Sequence, residues 1–230
     1  MEPDFRNMDY RREKGLRDGI CYIVGAGENY GLDFQPAPED LVIAADAGLR
    51  YLEEQNIRTD LVIGDFDTLQ CIPKHPNTIA LSAEKDDTDT LAAVREGIRA
   101  GYTCFHIYCG TGGRIDHTMA NLQVIAYLSA NNMRGFLFDH GSVITAITNG
   151  RLCFEKIPSG YLSVFSSSTK AEGVTLSGLK YELNNAVLTN TFPIGVSNEF
   201  VDQESSISVS DGTLFLVFPK EAKGKVKPLL

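Results

Sequence analysis

Short apolar runs alternate with amphipathic segments along the chain up to about residue 140. The continuous apolar runs mostly end in glycine or aspartate and are typical of buried parallel strands: ICYIVGAG, DLVIAAD, DLVIGDFD, NTIALSA and CFHIYCG. Apolar residues at three- and four-residue spacing predict helices between them: AGLRYLEEQNI, DTDTLAAVREGIRAG and DHTMANLQVIAYLSANN. This alternation predicts an α/β fold with an open, mostly parallel sheet and helices on both faces, to which GFLFDHGSVITAITN adds the last strands.

The pattern changes near residue 150. The later segments are short, rich in β-branched or aromatic residues, and bounded by Gly, Asn, Ser or Pro: RLCFEKI, YLSVFSSS, GVTLSGL, YELNNAVL and ISVSDGTLFLVF. Asp211 and Gly212 stand between two alternating runs, which predicts a β-hairpin there. We therefore predict an α/β domain over 18–148 and a small antiparallel β-sandwich over 149–222, followed by a frayed basic tail.

Composition narrows the range of partners. The chain has 230 residues, a formal net charge of -9 and a pI near 4.9, which argues against a nucleic-acid-binding surface. An acidic protein that handles phosphates needs a cation to mediate. The N-terminus has no apolar signal core, no later run could span a bilayer, and the five cysteines form no Cys-x-x-Cys pair. We expect a cytoplasmic protein with no membrane partner.

Glycines follow the first predicted strand, in the stretch VGAGENYG. Gly25, Gly27 and Gly31, with Asp46 about twenty residues later, resemble a dinucleotide-binding fingerprint. The glycine spacing is one residue too long, and the following helix is replaced by LDFQPAPED, which contains two prolines. These departures argue against a nicotinamide site and leave a plain tight turn as the alternative.

Carboxylates follow the third and fourth strands, at the sheet edge where open α/β sheets bind ligands. Asp65 and Asp67 are two residues apart in an extended segment, so both can face one cation, and hard oxygen donors suit Mg²⁺. The alternative is a solvated acidic turn. Asp86, Asp87 and Asp89 crowd the start of the next helix, where Asp86 or Asp87 can cap it and Asp89 falls in its first turn.

A glycine-rich turn, GTGGRIDH, follows the fifth strand. Gly112 and Gly113 can leave backbone N–H groups free to meet an anion, and Arg114 can donate to a phosphate. Asp116 either takes part in the site or caps the following helix. Metal-binding carboxylates beside an anion-binding turn outline a site for a nucleoside triphosphate.

At this point the chain resembles the thiamine pyrophosphokinase family. The family's motifs occur in order: ADAGLRYL at 45–52, GDFDT at 64–68, D-x-T-D at 86–89, GGRIDH at 112–117, GLKY at 178–181 and SN at 197–198. The resemblance implies ATP-dependent transfer of a diphosphate group to the hydroxyethyl oxygen of thiamine, with release of AMP. It also implies a homodimer, with thiamine held between one subunit's α/β half and the other's sandwich.

The same resemblance assigns roles by position. Asp65, Asp67 and Asp89 would hold Mg²⁺ and act in catalysis together with Asp116. ATP and its phosphates would contact Gly27, Asp46, Lys85, Gly112, Gly113 and Arg114. Thiamine would contact Asp116, Tyr181, Ser197 and Asn198.

Two positions depart from the pattern of animal relatives. Tyr181 stands where those relatives carry a stacking tryptophan, and tyrosine still offers a π-face to a cationic ligand. Lys85 stands where they carry a glutamine near thiamine; its charge opposes the thiazolium, so we assign it to phosphate. Two alternatives remain: a diphosphokinase for a related alcohol such as a hydroxymethylpterin, and a non-catalytic nucleotide- or thiamine-binding regulator.

Overall fold

A computed structural model describes residues 15–66, 71–82 and 86–227. Two residues with predicted roles, Asp67 and Lys85, lie outside these ranges. The chain forms two compact units that divide between Gly110 and Thr111. The predicted domain boundary between residues 148 and 149 stays a prediction. In the described part of the chain, no helix is long and apolar enough to cross a membrane.

The first unit is built on parallel strands in the order β5-β1-β2-β3-β4. The strands are β1 (Cys21–Val24), β2 (Leu41–Ala45), β3 (Leu61–Gly64), β4 (Thr78–Ala80) and β5 (Cys104–Tyr108). Helices α1 (Gly48–Glu54) and α2 (Asp89–Arg99) connect them. The apolar runs form strands where the sequence predicts them, and the central strands are buried at nearly every position, whereas the edge strand β4 is partly exposed.

The two faces of this sheet are covered differently. On one face, Gly97 of α2 lies so close to Cys21 and Phe105 that a Cβ there would stand 2.7 and 2.6 Å from their side chains. On the other face, Phe34 stacks on Tyr22 with ring centroids 4.1 Å apart and touches Tyr108 at 5.0 Å. Residues 25–40 thus run without a helix and cover the sheet through an aromatic side chain.

The second unit contains α3 (Ile115–Ala130) and two antiparallel sheets. One sheet has the order β12-β9-β14-β7-β6, and the other the order β11-β10-β13-β8. Their strands are β6 (Arg134–Phe138), β7 (Ser142–Thr148), β8 (Arg151–Ile157), β9 (Tyr161–Ser166), β10 (Lys170–Ser177), β11 (Leu183–Thr189), β12 (Asn198–Glu199), β13 (Gln203–Ser208) and β14 (Thr213–Pro219).

The two sheets of this unit pack through aromatic side chains. Phe154 of β8 meets Phe218 of β14 edge-on, with centroids 5.1 Å apart, and meets Phe200 at 5.2 Å. All three rings are almost fully buried, as expected for a core between stacked sheets. The predicted fold class, a mostly parallel α/β sheet followed by an antiparallel sandwich, is confirmed.

Two details of the prediction are wrong. Asp211 and Gly212 do not turn a hairpin, because β13 before them and β14 after them belong to different sheets. Apolar and polar residues alternate in both runs, and this pattern is compatible with a crossover between sheets as well as with a hairpin. The tail is not frayed up to Lys227: Lys220–Lys225 form a 3-10 helix that buries Ala222, and the Lys227 N–H donates to the Cys153 carbonyl at 2.9 Å.

Candidate functional site

In the first unit, the carboxyl ends of the parallel strands lie at one edge of the sheet. Left-handed backbone conformations occur just beyond three of these strands, at Asp46 (φ 50°), Phe66 (φ 59°) and Cys109 (φ 53°). Such conformations are unfavourable for residues other than glycine, and they cluster at functional sites. The chain therefore leaves the sheet sharply at the edge where open α/β sheets bind ligands.

Among the described acids at this edge, Asp46 is the most enclosed. Its side chain is only 5% exposed, and its N–H donates to the Ile63 carbonyl at 2.9 Å, which ties it to the neighbouring strand β3. Among the described residues, nothing forms a hydrogen bond with the Asp46 Oδ1 atom. A buried carboxylate oxygen without a partner is unfavourable, so this position suits a donor or cation supplied by a ligand.

Glycines make room around Asp46. A Cβ at Gly64 would lie 3.1 Å from the Asp46 N and Cα atoms. A Cβ at Gly48 would lie 2.0 Å from the Val24 carbonyl oxygen, so the start of α1 fits against the end of β1 only as glycine. Close packing at the strand ends thus requires the glycine of the ADAG motif and favours the glycine of the GDFD motif.

Asp65 and Asp89 occupy the positions that the sequence predicts. Asp65 follows β3 directly and is partly exposed, and Asp89 is in the first turn of α2. The predicted capping by Asp86 or Asp87 is wrong: Thr88 is the N-cap, and its hydroxyl accepts from the Leu91 N–H at 3.2 Å. Asp87, which precedes the N-cap, instead forms an ion pair with Arg95 of α2.

The metal-binding set cannot be assembled from the described residues alone. Over 15–66, 71–82 and 86–227, no group of three His, Cys, Asp or Glu residues lies close enough to hold a metal ion. Asp67, the second carboxylate of the predicted pair, falls in the gap after Phe66. The donors present, Asp65 and the unpaired oxygen of Asp46, are of the hard type that Mg²⁺ prefers.

Gly27 has a role in the fold. Its N–H donates to the Cys109 carbonyl at 2.8 Å, and its own carbonyl accepts from the Tyr51 hydroxyl at 3.1 Å. This N–H is therefore occupied and does not point to a phosphate.

In the second unit, the glycine-rich turn leads into α3. Gly112 and Gly113 both adopt left-handed conformations, with φ of 76° and 60°. Within the described chain, neither of their N–H groups donates a hydrogen bond to the backbone. The turn therefore presents backbone donors just before a helix N-terminus, as an anion-binding turn requires.

Arg114 and Asp116 form a pair on this turn. The guanidinium donates to both carboxylate oxygens, at 2.6 and 3.2 Å, and both side chains are exposed. The hydrogen bond from Arg114, supported by the His117 N–H, lowers the pKa of Asp116 below its usual value of 3.8. Asp116 lies inside the first turn and Arg114 takes the N-cap position, so the capping role considered for Asp116 is wrong.

Two of the four residues predicted for thiamine line one cavity in the second unit, and Ser197 is adjacent in sequence to one of them, whereas Asp116 lies at the start of α3 and does not line this cavity. Tyr181 and Asn198 line a cavity of about 100 Å³, with the apolar side chains of Leu176, Leu183, Ile194 and Val196. The Tyr181 ring is 58% exposed, whereas Asn198 is 5% exposed. Ser197 is exposed, has a left-handed φ of 59°, and donates its N–H to the Ser163 hydroxyl at 3.0 Å.

Open α/β sheets bind ligands beyond the carboxyl ends of their strands, and a glycine turn before a helix N-terminus can bind an anion. The geometry is therefore that of an α/β ligand-binding protein. Comparison with known families is more specific. Residues 37–137 match the family model described as "Thiamin pyrophosphokinase, catalytic domain", and residues 151–214 match "Thiamin pyrophosphokinase, vitamin B1 binding domain". The chain belongs to the thiamine pyrophosphokinase family.

Individual relatives agree with this result. A protein named thiamine pyrophosphokinase from Bacillus subtilis (strain 168) is 29% identical over 207 residues, which cover 86% of this chain and 97% of that protein. The crystal structure of thiamine pyrophosphokinase from Bacillus subtilis aligns with a TM-score of 0.75 at 26% identity, covering 87% of this chain and 98% of the other. A thiamin pyrophosphokinase family protein from Enterococcus faecalis aligns with a TM-score of 0.75 at 28% identity, with the same coverage of 87% and 98%.

Proposed function

We propose that this protein transfers a diphosphate group from ATP to thiamine, forming thiamine diphosphate and AMP. The observation that carries this conclusion is the match to both family regions, catalytic and vitamin-binding, in one chain and in order. The Bacillus subtilis relative is matched over 97% of its length, so the resemblance is not confined to one module. The buried, unpaired oxygen of Asp46 at the sheet edge supports a ligand site there.

The proposed metal is Mg²⁺, held by Asp65, Asp67 and Asp89. These carboxylates would hold the ion, which when bound would supply positive charge to neutralise the triphosphate and would lessen the repulsion between the carboxylates. Asp46 would accept a hydrogen bond from the nucleotide through its unpaired oxygen. Lys85 is proposed to contact phosphate.

The reaction joins the hydroxyethyl oxygen of thiamine to the β-phosphorus of ATP. The bond from that phosphorus to the oxygen bridging to the α-phosphorus breaks, and this oxygen leaves as part of AMP. Positioning and charge neutralisation contribute most of the rate in such transfers. The Gly112–Gly113 turn would meet the phosphates with its N–H groups, and Arg114 would exchange its contact with Asp116 for a phosphate oxygen.

The hydroxyl proton needs an acceptor, for which Asp65 and Asp116 are the candidates. The pKa of Asp116 is lowered by Arg114, which makes this carboxylate a weaker base than an ordinary aspartate. If Arg114 moves to the phosphate, the pKa of Asp116 rises and its basicity increases.

Thiamine is proposed to bind in the second unit, where the exposed ring of Tyr181 offers its π-face to a cationic ligand. Ser197 and Asn198 stand beside this ring in the family's pattern. We also infer a homodimer that works in the cytoplasm; all five cysteines are free thiols, which suits a reducing compartment. Light scattering on the purified protein would measure the oligomeric state.

The alternatives from the sequence are less favoured. A pterin diphosphokinase would share the phosphate-handling residues, but the match at 151–214 is to a vitamin B1 binding region. A non-catalytic regulator would need a defective acidic site, whereas Asp65, Asp67 and Asp89 are all present.

The decisive experiment incubates purified protein with ATP and thiamine, with and without Mg²⁺, and measures AMP and thiamine diphosphate. We expect both products in equal amounts, formed only with the metal. A parallel incubation replaces thiamine by a hydroxymethylpterin. Products from the pterin alone would reject thiamine as substrate, and no AMP with either alcohol would reject the enzyme assignment.

A further inference from the structure

The side chain of Asn198 is bonded to the backbone of Tyr181 on both of its polar groups. The Asn198 Oδ1 atom accepts from the Tyr181 N–H at 2.9 Å, and the Asn198 Nδ2 atom donates to the Tyr181 carbonyl at 2.7 Å. The same Oδ1 atom also accepts from the Glu199 N–H at 2.9 Å. Asn198 is buried, so these three bonds are partly shielded from water.

This arrangement uses nearly all the bonding capacity of the amide. An asparagine side chain has one carbonyl oxygen with two lone pairs and one NH₂ group with two hydrogens. Both lone pairs are engaged here, and one of the two hydrogens is engaged as well. Asn198 therefore has no acceptor left for a ligand, although its position in the family's motif suggests a direct contact.

Tyr181 depends on these bonds, because it lies outside regular structure between the end of β10 at Ser177 and the start of β11 at Leu183. Asn198 provides both backbone hydrogen bonds that a paired strand would otherwise provide. The ring itself remains exposed at the cavity. The bonds to Asn198 therefore hold the backbone from which the ring projects.

A second link joins the same two segments and is weaker. Lys180 pairs with Glu199 at 2.6 Å, and the Lys180 N–H donates to the Glu199 carbonyl at 3.0 Å. Both side chains of the pair are solvent-exposed, and exposed ion pairs contribute little because water screens them. The buried amide is the stronger constraint on Tyr181.

We propose that Asn198 is a positioning residue for Tyr181: it holds the backbone at position 181 so that the ring is presented to the substrate at a fixed angle. This inference rests on the proposed function, in which that ring stacks on thiamine. A pre-organised ring costs less ordering on binding, so Asn198 affects the affinity for thiamine through Tyr181 and leaves the chemical step unchanged.

The test is a double-mutant cycle in the full-length protein with Mg²⁺ and saturating ATP. Thiamine KM and kcat are measured for the unchanged protein, Asn198→Ala, Tyr181→Ala and the double variant. We expect Asn198→Ala to raise thiamine KM about tenfold, the effect of losing buried hydrogen bonds, with kcat nearly unchanged. In the Tyr181→Ala background the same substitution should have almost no further effect.

The controls separate this inference from the proposed function. Asn184→Ala removes an exposed asparagine of β11 and should leave both constants unchanged. Asn198→Asp keeps the two acceptor bonds but loses the donor to the Tyr181 carbonyl; it replaces the alanine variant if the latter does not fold, and should raise KM in the same way. If Asn198→Ala raises the thiamine KM by the same factor with and without the Tyr181 ring, the inference is overturned while the enzyme assignment stands. If the unchanged protein forms no thiamine diphosphate, it is the proposed function that fails.

Discussion

Gly64 lies directly against Asp46, so close that a methyl group at position 64 would fit only if Asp46 moved by a few tenths of an ångström. The nearest atoms to a Cβ at position 64 would be the Asp46 N and Cα atoms, both at 3.1 Å. Strands β2 and β3 are neighbours, and the Asp46 N–H is bonded to the carbonyl of Ile63. The position of Asp46 is thus set by the strand that leads into Asp65.

Substitution of Gly64 by alanine should move Asp46 away from this position by a few tenths of an ångström. We expect the free energy of unfolding to fall by about 1–3 kcal/mol, as for overpacking elsewhere. We expect kcat/KM to fall by a larger fraction of its value than the free energy of unfolding does. Urea unfolding and AMP release measure the two effects. Gly224→Ala is the control, because a Cβ there meets nothing within 4 Å. Unchanged activity in Gly64→Ala would show that the placement of Asp46 is unimportant.

Substitution of Asp65 by asparagine keeps the size of the side chain and removes its charge. If Asp65 holds Mg²⁺, kcat should fall by about a hundredfold or more, and the Mg²⁺ concentration for half-maximal rate should rise. Asp67→Asn should behave in the same way, with circular dichroism unchanged. The control is Asp18→Asn, which removes an equal charge at an exposed position. Full turnover in either acidic-site variant would exclude that residue from metal binding.

Thr88 is expected to stabilise α2 through its hydroxyl group. Thr88→Ala removes the acceptor for the Leu91 N–H and should lower the free energy of unfolding by about 1 kcal/mol. Thr88→Ser keeps a hydroxyl and should retain most of that contribution of about 1 kcal/mol. Helix α2 buries Ala93 and Val94 in the first unit, so the loss appears in global unfolding by urea. Equal stability of the alanine and serine variants would contradict a capping role.

Arg114→Met should raise the pKa of Asp116 towards its usual value of 3.8, because the hydrogen bond from the guanidinium is the main cause of the lowered pKa. A carboxylate NMR titration of Asp116 measures this directly. A lowered folded-state pKa adds stability above pH 3.8 that is lost as the pH falls through the lowered value. With both side chains exposed, the effect on unfolding at neutral pH should be small.

The control for the titration is Lys156→Met, which breaks a comparably exposed pair with Asp202. It should leave the titration of Asp116 unchanged. An Asp116 pKa that does not respond to Arg114→Met would mean that the pair is not formed in solution.

The sequence predicts the first unit well because its strands are buried on both faces. β1 and β5 are continuous apolar runs, and such runs between helical patterns have few alternative structures. The three- and four-residue spacing of apolar residues predicts helices α2 and α3 directly. The start of α2 was harder to predict: three acids and a threonine compete for the cap, and only the structure shows that Asp87 is engaged with Arg95.

The second unit shows where the sequence is insufficient. β13 and β14 adjoin Asp211–Gly212 and both alternate, yet they join different sheets. Alternation tells which side of a strand is buried, but it does not tell which partner the strand will pair with. The sequence does not predict the hydrogen bonds between Asn198 and Tyr181 either, because they join residues 17 positions apart through a side chain. A motif locates such residues without giving the role of each.

The pairing of β14 has a consequence for synthesis of the protein. This strand lies between β7 and β9 and forms ladders with both. Until Thr213–Pro219 has left the ribosome, each of those neighbours has an open edge facing the place that β14 will fill. This sheet can therefore close only after Thr213–Pro219 has been synthesised, and a product that stops short of β14 exposes two strand edges prone to aggregation.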